Sequence, residues 1–330
     1  MILLLTREDD HALPSVVARL EALGADHLVF DPARYPAQAA IRIDYQPTGR
    51  RHRQLRYRGR WVDLDTVTAV WDRRPGAPEA APEVAAPEHR ALVAEVSQTL
   101  LAGVWDALGC PWLPGPPRAQ AAAADKPNQL ALAARLGFTI PRTVVTNVPE
   151  DFLDLYAECG GRLVTKVLRQ VPVRRDGEPC VTLTHTVRRR DAAGYRAIRH
   201  GPVILQAYVP KDVELRITVV GSRVFAAAIH SQAVRATRDD WRRGDFWPVP
   251  LVPHDVPADV AGRCVRLVRA LGLRFGAIDM VLTPDGEHVF LEINPNGEWA
   301  WIEDETGLPI GAAIADLLVR AGTRAGRRAR

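Results

Sequence analysis

Cysteine is scarce in this chain of 330 residues, with only Cys110, Cys159, Cys180 and Cys264, and no two of them stand at a pairing interval. That spacing excludes a zinc ligand set, a redox pair and a disulfide framework, and leaves four inert thiols. Long apolar runs are also missing. The opening MILLLTREDD meets charge before a signal segment could form, and no later stretch approaches a membrane-spanning length. A cytoplasmic protein with no membrane partner is the expectation. Aromatic residues make up 6% and do not interleave with the basic ones, so the net charge of +4 suggests solvated arginine faces or an acidic partner, not nucleic acid.

What is present is a composition of 47% apolar and 25% charged residues, suited to two or three modest folded domains. ILLLT, PSVVARLEALG and HLVF read as strand, helix, strand, the start of an α/β layer. Strands at IRIDY, QLRYR and TVTAVW follow, then a long amphipathic stretch from Glu83 to Leu108. The proline-rich CPWLPGPPRA marks a boundary near residue 115. A central α+β unit over 116–202 has a helix from Lys126, a strand RTVVT, a helix EDFLDLYAECG and a strand RLVTKVL. An Asp176-Gly177 turn then leads to a strand CVTLTH. A further unit over 203–322 begins with VILQAYV and contains two hairpins, the helix PADVAGRCVRLVRALG and a last helix PIGAAIADLLVRAG. Residues 323–330 read as a disordered basic tail.

The strongest chemical signal is FGAIDMVLTPDGEHVFLEINPNGE, where two apolar runs flank Asp285-Gly286, a two-residue hairpin turn. Pairing Pro284 with Glu287 sets the register, so Asp279 lies opposite Glu292, with Asn294 on the same face. Opposed carboxylates among apolar neighbours destabilise a sheet unless a cation lies between them. Two carboxylates and an amide are oxygen ligands of the kind magnesium takes, with phosphates and water completing its shell.

Two lysines are placed for those phosphates. Lys126 opens a helix just before Pro127, where free amides and the helix dipole attract anions. Lys166 projects from one face of the strand LVTKVL. In VELRITVV, period two puts Glu214 and Arg216 on one face and Leu215, Ile217 and Val219 on the other, with a Gly221-Ser222 turn returning the chain. A glutamate there can accept from ribose hydroxyls, and an arginine can hold phosphate oxygens.

These residues, in this order, resemble the ATP-grasp superfamily. More narrowly, AVWDRRP, GFTIPRTVVTN, LVTKVL, VELRITVVGSRVFAAAIHSQ, FGAIDMVLTPDG and VFLEINPNGEWAWIE are similar to the peptide-maturing ATP-grasp ligases that make graspetides, the microviridin-type macrocyclic peptides. The resemblance implies a mixed α/β and α+β fold, in which an N-terminal pre-ATP-grasp domain precedes two α+β units that clasp ATP. It implies Lys126 and Lys166 as phosphate lysines, and Gln206, Ala207, Tyr208 and Val209 as the adenine hinge. Glu214 becomes the ribose ligand, and Asp279, Glu292 and Asn294 hold magnesium, expected as two ions, with Arg216 and Lys166 acting on the transferring phosphoryl group.

A glycine-rich loop after the second lysine, common in the superfamily, is replaced by VLRQVPVRRDGEP, which fits the peptide ligases better than amino-acid ligases. Relatives dock a leader peptide on the region 163–198. Arg174, Arg175, Arg188, Arg189 and Arg190 gather here around a hairpin and a helix start, and make it the expected contact for a precursor of leader and acidic core. The implied reaction activates an Asp or Glu side chain as an acyl phosphate, which a Thr, Ser or Lys side chain of the same peptide then attacks. Rival readings are a ligase adding free amino acids to a protein terminus, an ATP-grasp kinase, and a nucleotide- or nucleic-acid-binding protein. No general base is identifiable, a homodimer stays open, and Glu298-Trp299-Ala300-Trp301 either walls the cleft or packs in a core.

Overall fold

The computed structural model describes residues 1–169, 173–175, 178–180, 184–238, 240–242 and 249–328. The expected Asp176-Gly177 turn and residues 181–183 of the expected strand CVTLTH lie outside the described residues.

Strand Ile2–Thr6 is buried along its whole length because both faces of its sheet are covered. It lies in a parallel four-stranded sheet between His27–Phe30 and Ala69–Arg74, with Trp112–Leu113 at the far edge. Alternation sends Ile2 and Leu4 toward Val16 and Leu20 of helix Leu13–Ala22, and toward Ile310, Ile314 and Leu318 of helix Ile310–Arg328. Leu3 and Leu5 face Leu101, Val104 and Trp105 of helix Pro87–Asp106, and Leu55 and Tyr57 of a three-stranded antiparallel sheet. The last helix thus closes the core of the first sheet although it comes at the other end of the chain. It also corrects the expected disordered tail from residue 323, because it continues through Arg328. No proline interrupts the segment, and its alanines and arginines are good helix formers.

Two larger antiparallel sheets and the two-stranded ribbon of Val173–Arg175 with Glu178–Cys180 form the rest of the strands among the described residues. A four-stranded one orders His185–Thr186, Leu163–Lys166, Val203–Ala207 and Thr143–Thr146, and packs Leu163 and Leu205 against Phe152 and Leu155 of helix Pro149–Glu158. A five-stranded one orders Leu251–Pro253, Arg223–Ile229, Val213–Val220, Phe275–Leu282 and His288–Asn294. On one of its faces Leu215, Ile217 and Val219 join Ile278, Phe290 and Ile293 beneath helices Lys126–Arg135 and Ala258–Ala270. The opposite face therefore carries the polar members of the same strands. The Gly221-Ser222 turn is as expected, with Val220 paired to Arg223 and Gly221 at φ +66°, a conformation glycine adopts without strain.

The hairpin at 284–286 differs from expectation in an instructive way. Thr283 pairs with Glu287 across three loop residues, with Gly286 at φ +81°, so Asp285-Gly286 is not a two-residue turn. That shifts the register by one at the loop end, where Met280 pairs with Phe290 and Leu282 with His288. A bulge between Asp279 and Met280 restores it, and Asp279 pairs with Glu292 after all. The extra residue at the bulge is Leu291, which lines the cleft together with Glu292 while Phe290 and Ile293 enter the core.

Candidate active site

The two antiparallel sheets face each other across a cleft of about 410 Å³, to which Arg74 and the loop following Asn294 also contribute. Three adjacent strands place Arg216, Asp279 and Glu292 in one row, Arg216 opposite Asp279 and Asp279 opposite Glu292. Arg216 Nη1 donates to Asp279 Oδ1 at 2.7 Å and Nη2 donates to the Glu298 carbonyl at 3.0 Å. Asn294 Nδ2 donates to Asp279 Oδ2 at 3.3 Å. Lys126 Nζ pairs with Glu292 Oε2 at 3.0 Å and donates to the Val167 carbonyl at 3.3 Å, which ties one sheet to the other.

Lys126 opens helix Lys126–Arg135 as expected, but not as an open anion site. Asp125 is the N-cap, and its carboxylate accepts from the Asn128 amide, so the lysine reaches the cleft by its side chain and not by virtue of a free helix end. Lys166 ends strand Leu163–Lys166 and lines the cleft, as do Gln206, Ala207, Tyr208, Val209 and Glu214. The Gln206 side chain donates to Thr143 Oγ1 at 3.0 Å, so its amide is committed to the neighbouring strand.

Burial dominates the electrostatics. It pushes the Lys166 ammonium below the usual lysine range, with Glu292 opposing and Lys126 reinforcing the shift. Burial also raises Asp279 despite the Arg216 guanidinium. Glu292 behaves differently: burial disfavours its charge, but Lys126 and Lys166 outweigh it and hold the carboxylate ionised. Burial raises Glu214 as well, against the pull of Lys211. Asp279, Glu292 and Asn294 offer hard oxygen donors from one face. Among the described residues no group of three or more His, Cys, Asp or Glu side chains is placed to hold a metal ion, so the amide of Asn294 has to complete the set with the two carboxylates. That donor set fits magnesium, which takes its remaining ligands from phosphate and water.

The five arginines expected to meet a peptide form a separate group. Arg174 and Arg175 lie on the strand Val173–Arg175, which pairs with Glu178–Cys180. Arg188, Arg189 and Arg190 are exposed at the start of the short helix Arg189–Ala192, where Asp191 accepts from the Arg188 amide at 2.9 Å. Arg174, Arg188, Arg189 and Arg190 are not among the described residues that line the cleft.

Sequence reasoning passed over several residues in or beside the cleft. Lys211 pairs with Glu214 Oε1 at 2.8 Å, both side chains largely buried. Only three of the 43 lysines and arginines are lysines, and Lys126, Lys166 and Lys211 all converge on this cleft. That scarcity was the available signal. Arg242 forms a bidentate pair with the buried Asp240, which also accepts from the backbone amides of Arg242 and of Thr184, the residue just before strand His185–Thr186. Arg73, 1% exposed, donates to Glu298 at 2.6 Å and to the carbonyls of Asn296 and Gly297. The two tryptophans left open by the sequence divide: Trp299 packs in the core, and Trp301 lines the cleft, stacked on Trp241 at 5.0 Å between centroids.

Comparison with known proteins agrees with this layout. The family model of the MvdD pre-ATP grasp domain matches residues 1–118. Among solved structures, the macrocyclase MdnC of Microcystis aeruginosa MRC, bound with precursor peptide MdnA, is 31% identical, with 97% of this chain and 99% of that one covered and a TM-score of 0.83. A Chryseobacterium gregarium RiPP-associated ATP-grasp ligase, in complex with ADP and a leader and core peptide, is 27% identical, with 97% and 96% covered and a TM-score of 0.90. A probable alpha-L-glutamate ligase of Klebsiella pneumoniae (strain 342) is 26% identical over 208 residues, 61% of this chain. The match spans 65% of the length of that curated relative. Full-length likeness at this identity, on a fold with the same opposed sheets, leads to one conclusion: the chain belongs to the ATP-grasp ligases, in the graspetide, or microviridin-type, peptide-maturing family.

Proposed function

We propose that the protein uses ATP to activate a side-chain carboxylate of a ribosomally made precursor peptide, and that a side-chain hydroxyl or amine of the same peptide then closes an ester or amide ring. The observation that carries this reading is the row Arg216, Asp279, Glu292 beneath Lys126 and Lys166, two fixed carboxylates ringed by three cations at one end of an ATP-sized cleft. Adenine lies along the backbone of Gln206, Ala207, Tyr208 and Val209, and the ribose hydroxyls donate to Glu214. Lys126, Lys166 and Arg216 surround the phosphates.

Asp279, Glu292 and Asn294 would hold magnesium, expected as two ions, whose contribution is to neutralise charge on the phosphate oxygens. The substrate carboxylate attacks the γ-phosphorus, ADP leaves, and the acyl phosphate forms while Lys166 and Arg216 spread the developing charge. The acceptor then attacks the acyl carbon, phosphate departs with the bonding electrons, and the acceptor loses its proton. The leader of the precursor docks on the central segment bearing Arg174, Arg175, Arg188, Arg189 and Arg190.

Incubation with ATP, magnesium and an acidic precursor peptide should lower the peptide mass by one water per ring, about 18 Da from the ligation stoichiometry. Asp279→Asn and Glu292→Gln should each abolish ADP release. Full turnover in either variant would remove the metal assignment. The resemblance to glutamate ligases favours one alternative, addition of free glutamate to a protein terminus. A mass gain with free glutamate and no ring closure on any peptide would select it, and a stable gain of phosphate would select a kinase.

A further inference from the structure

Arg216 is held partly by a loop that the first sheet shapes. Its side chain is 6% exposed and has two hydrogen-bond partners among the described residues, Asp279 Oδ1 at 2.7 Å and the Glu298 carbonyl at 3.0 Å. We infer that Arg73 and Asn296 are positioning residues for Arg216: they clamp the loop 295–299 to the end of strand Ala69–Arg74, and so aim the Glu298 carbonyl that holds the guanidinium beside Asp279. The inference rests on the reading of Arg216 as a phosphate contact and adds how the N-terminal sheet fixes it.

The stretch between strand His288–Asn294 and helix Ala300–Thr306 belongs to no helix or strand, so its shape depends on what it meets. Arg73 and Asn296 meet it reciprocally. Asn296 Nδ2 donates to the Asp72 carbonyl at 2.9 Å and to the Arg73 carbonyl, which pins the loop to the strand end. In return Arg73 Nη1 donates to the carbonyls of Asn296 at 3.2 Å and Gly297 at 3.3 Å, and Nη2 donates to Glu298 Oε2 at 2.6 Å. The guanidinium is itself braced from behind. Nε lies 3.5 Å from Asp10 Oδ2, and Asp10 accepts from Thr6 Oγ1 and from the Ala12 amide, both at 2.9 Å. A planar fork of five donors spans carbonyls and carboxylates at once, which a lysine ammonium does not do. The loop also runs hard against Arg216, since a Cβ at Gly297 would stand 2.7 Å from Nη2. A small shift of the loop therefore moves the guanidinium. Released from the Glu298 carbonyl, Arg216 keeps its bond to Asp279 but loses a fixed direction, and a charge that must reorient stabilises phosphate less than one held in place.

The test needs no peptide. Calorimetry on the full chain with magnesium reads affinity for ADP and for β,γ-imido-ATP, a triphosphate that is not turned over. Arg216→Ala should weaken the triphosphate about tenfold while ADP changes by less than about threefold, and Asn296→Ala should weaken the triphosphate by about three- to tenfold with the same small effect on ADP. Because Asn296 acts through Arg216, the double variant should bind the triphosphate no more weakly than Arg216→Ala alone. Arg73→Lys keeps a cation between Asp10 and Glu298 but not the fork. It should recover most of the urea stability that Arg73→Ala loses, and none of the triphosphate affinity. Additive losses in the double variant, equal losses for ADP and the triphosphate, or wild-type triphosphate affinity in Arg216→Ala, Asn296→Ala or Arg73→Lys overturns the clamp. Ring closure is read separately, as loss of water from an acidic precursor. Loss of water with the wild type, together with additive nucleotide effects, keeps the ligase reading and overturns the clamp. Non-additive nucleotide effects with no loss of water keep the clamp and overturn the ligase reading.

Discussion

Arg73 carries a positive charge at 1% exposure and meets Glu298 at 2.6 Å and Asp10 at 3.5 Å. Burial pulls its pKa down, and the two carboxylates resist that pull. Arg73→Ala would leave the buried Asp10 without its ion pair while Glu298, partly exposed, keeps Arg74, so we expect a loss of about 3 kcal/mol in urea unfolding, the lower end of the usual cost of breaking a buried pair by removing one partner. A loss within error of zero would show that water enters and replaces the guanidinium. The lysines give a second test at this scale. Because Lys126, Lys166 and Lys211 are the only lysines in the chain, an amine-acylating reagent has just those side chains and the N-terminus to modify. Acylation should abolish ADP release, and ATP with magnesium should protect all three lysines in a peptide map. Inactivation with the three unmodified would place the essential amines elsewhere.

Among the elements, the hairpin from Phe275 to Asn294 matters most, and its bulge is what aims Glu292. Without the additional residue at Leu291, strict alternation from the loop would put position 292 on the Phe290 side, in the core. The loop beyond Asn294 is constrained just as tightly. A methyl group on Gly297 would sit 2.5 Å from the Ala277 Cβ and 2.7 Å from Arg216 Nη2. Gly297→Ala should therefore displace Arg216 from Asp279 and lower kcat between about ten- and a hundredfold, the scale at which sub-ångström placement of a charge governs rate. Far-ultraviolet circular dichroism should stay native. Unchanged kcat would mean that the loop yields and Arg216 keeps its position.

For the whole molecule, Arg174, Arg188, Arg189 and Arg190 lie outside the described cleft lining, so nucleotide and peptide binding should be separable too. Charge reversal of Arg188, Arg189 and Arg190 to Glu should weaken an acidic precursor by about tenfold or more in low salt, with the difference narrowing near roughly 0.5 M salt as screening shortens the range. ATP affinity should not change. A salt-independent loss, or none, would remove that segment as the docking face. The chain termini also meet at this scale: helix Ile310–Arg328 packs on strand Ile2–Thr6, and Gly322 lies so close to Thr68 that a Cβ would approach its Oγ1 to 2.8 Å.

How much of this was legible depends on whether the cause is local. Alternation in VELRITVV fixed which side chains leave the core together, because a strand has period two whatever lies around it. The pairing of Asp279 with Glu292 was also readable, although through a two-residue turn and an unbroken ladder that the structure replaces with a three-residue loop and a compensating bulge. Loop length and bulge are settled by packing of Phe290 and Ile293 beneath the helices, which a sequence pattern does not contain. Arg73 was illegible for the same reason, because Glu298 and Asp10 lie far from it along the chain. Lys211 and Arg242 meet carboxylates only three and two residues away, Glu214 and Asp240, but a charged side chain shows in sequence only its charge, not whether the carboxylate beside it is buried. The sequence by itself determined the strands, their faces and the chemistry they carry. Only the tertiary structure decided which charges meet, because burial and pairing are properties of the assembled layers.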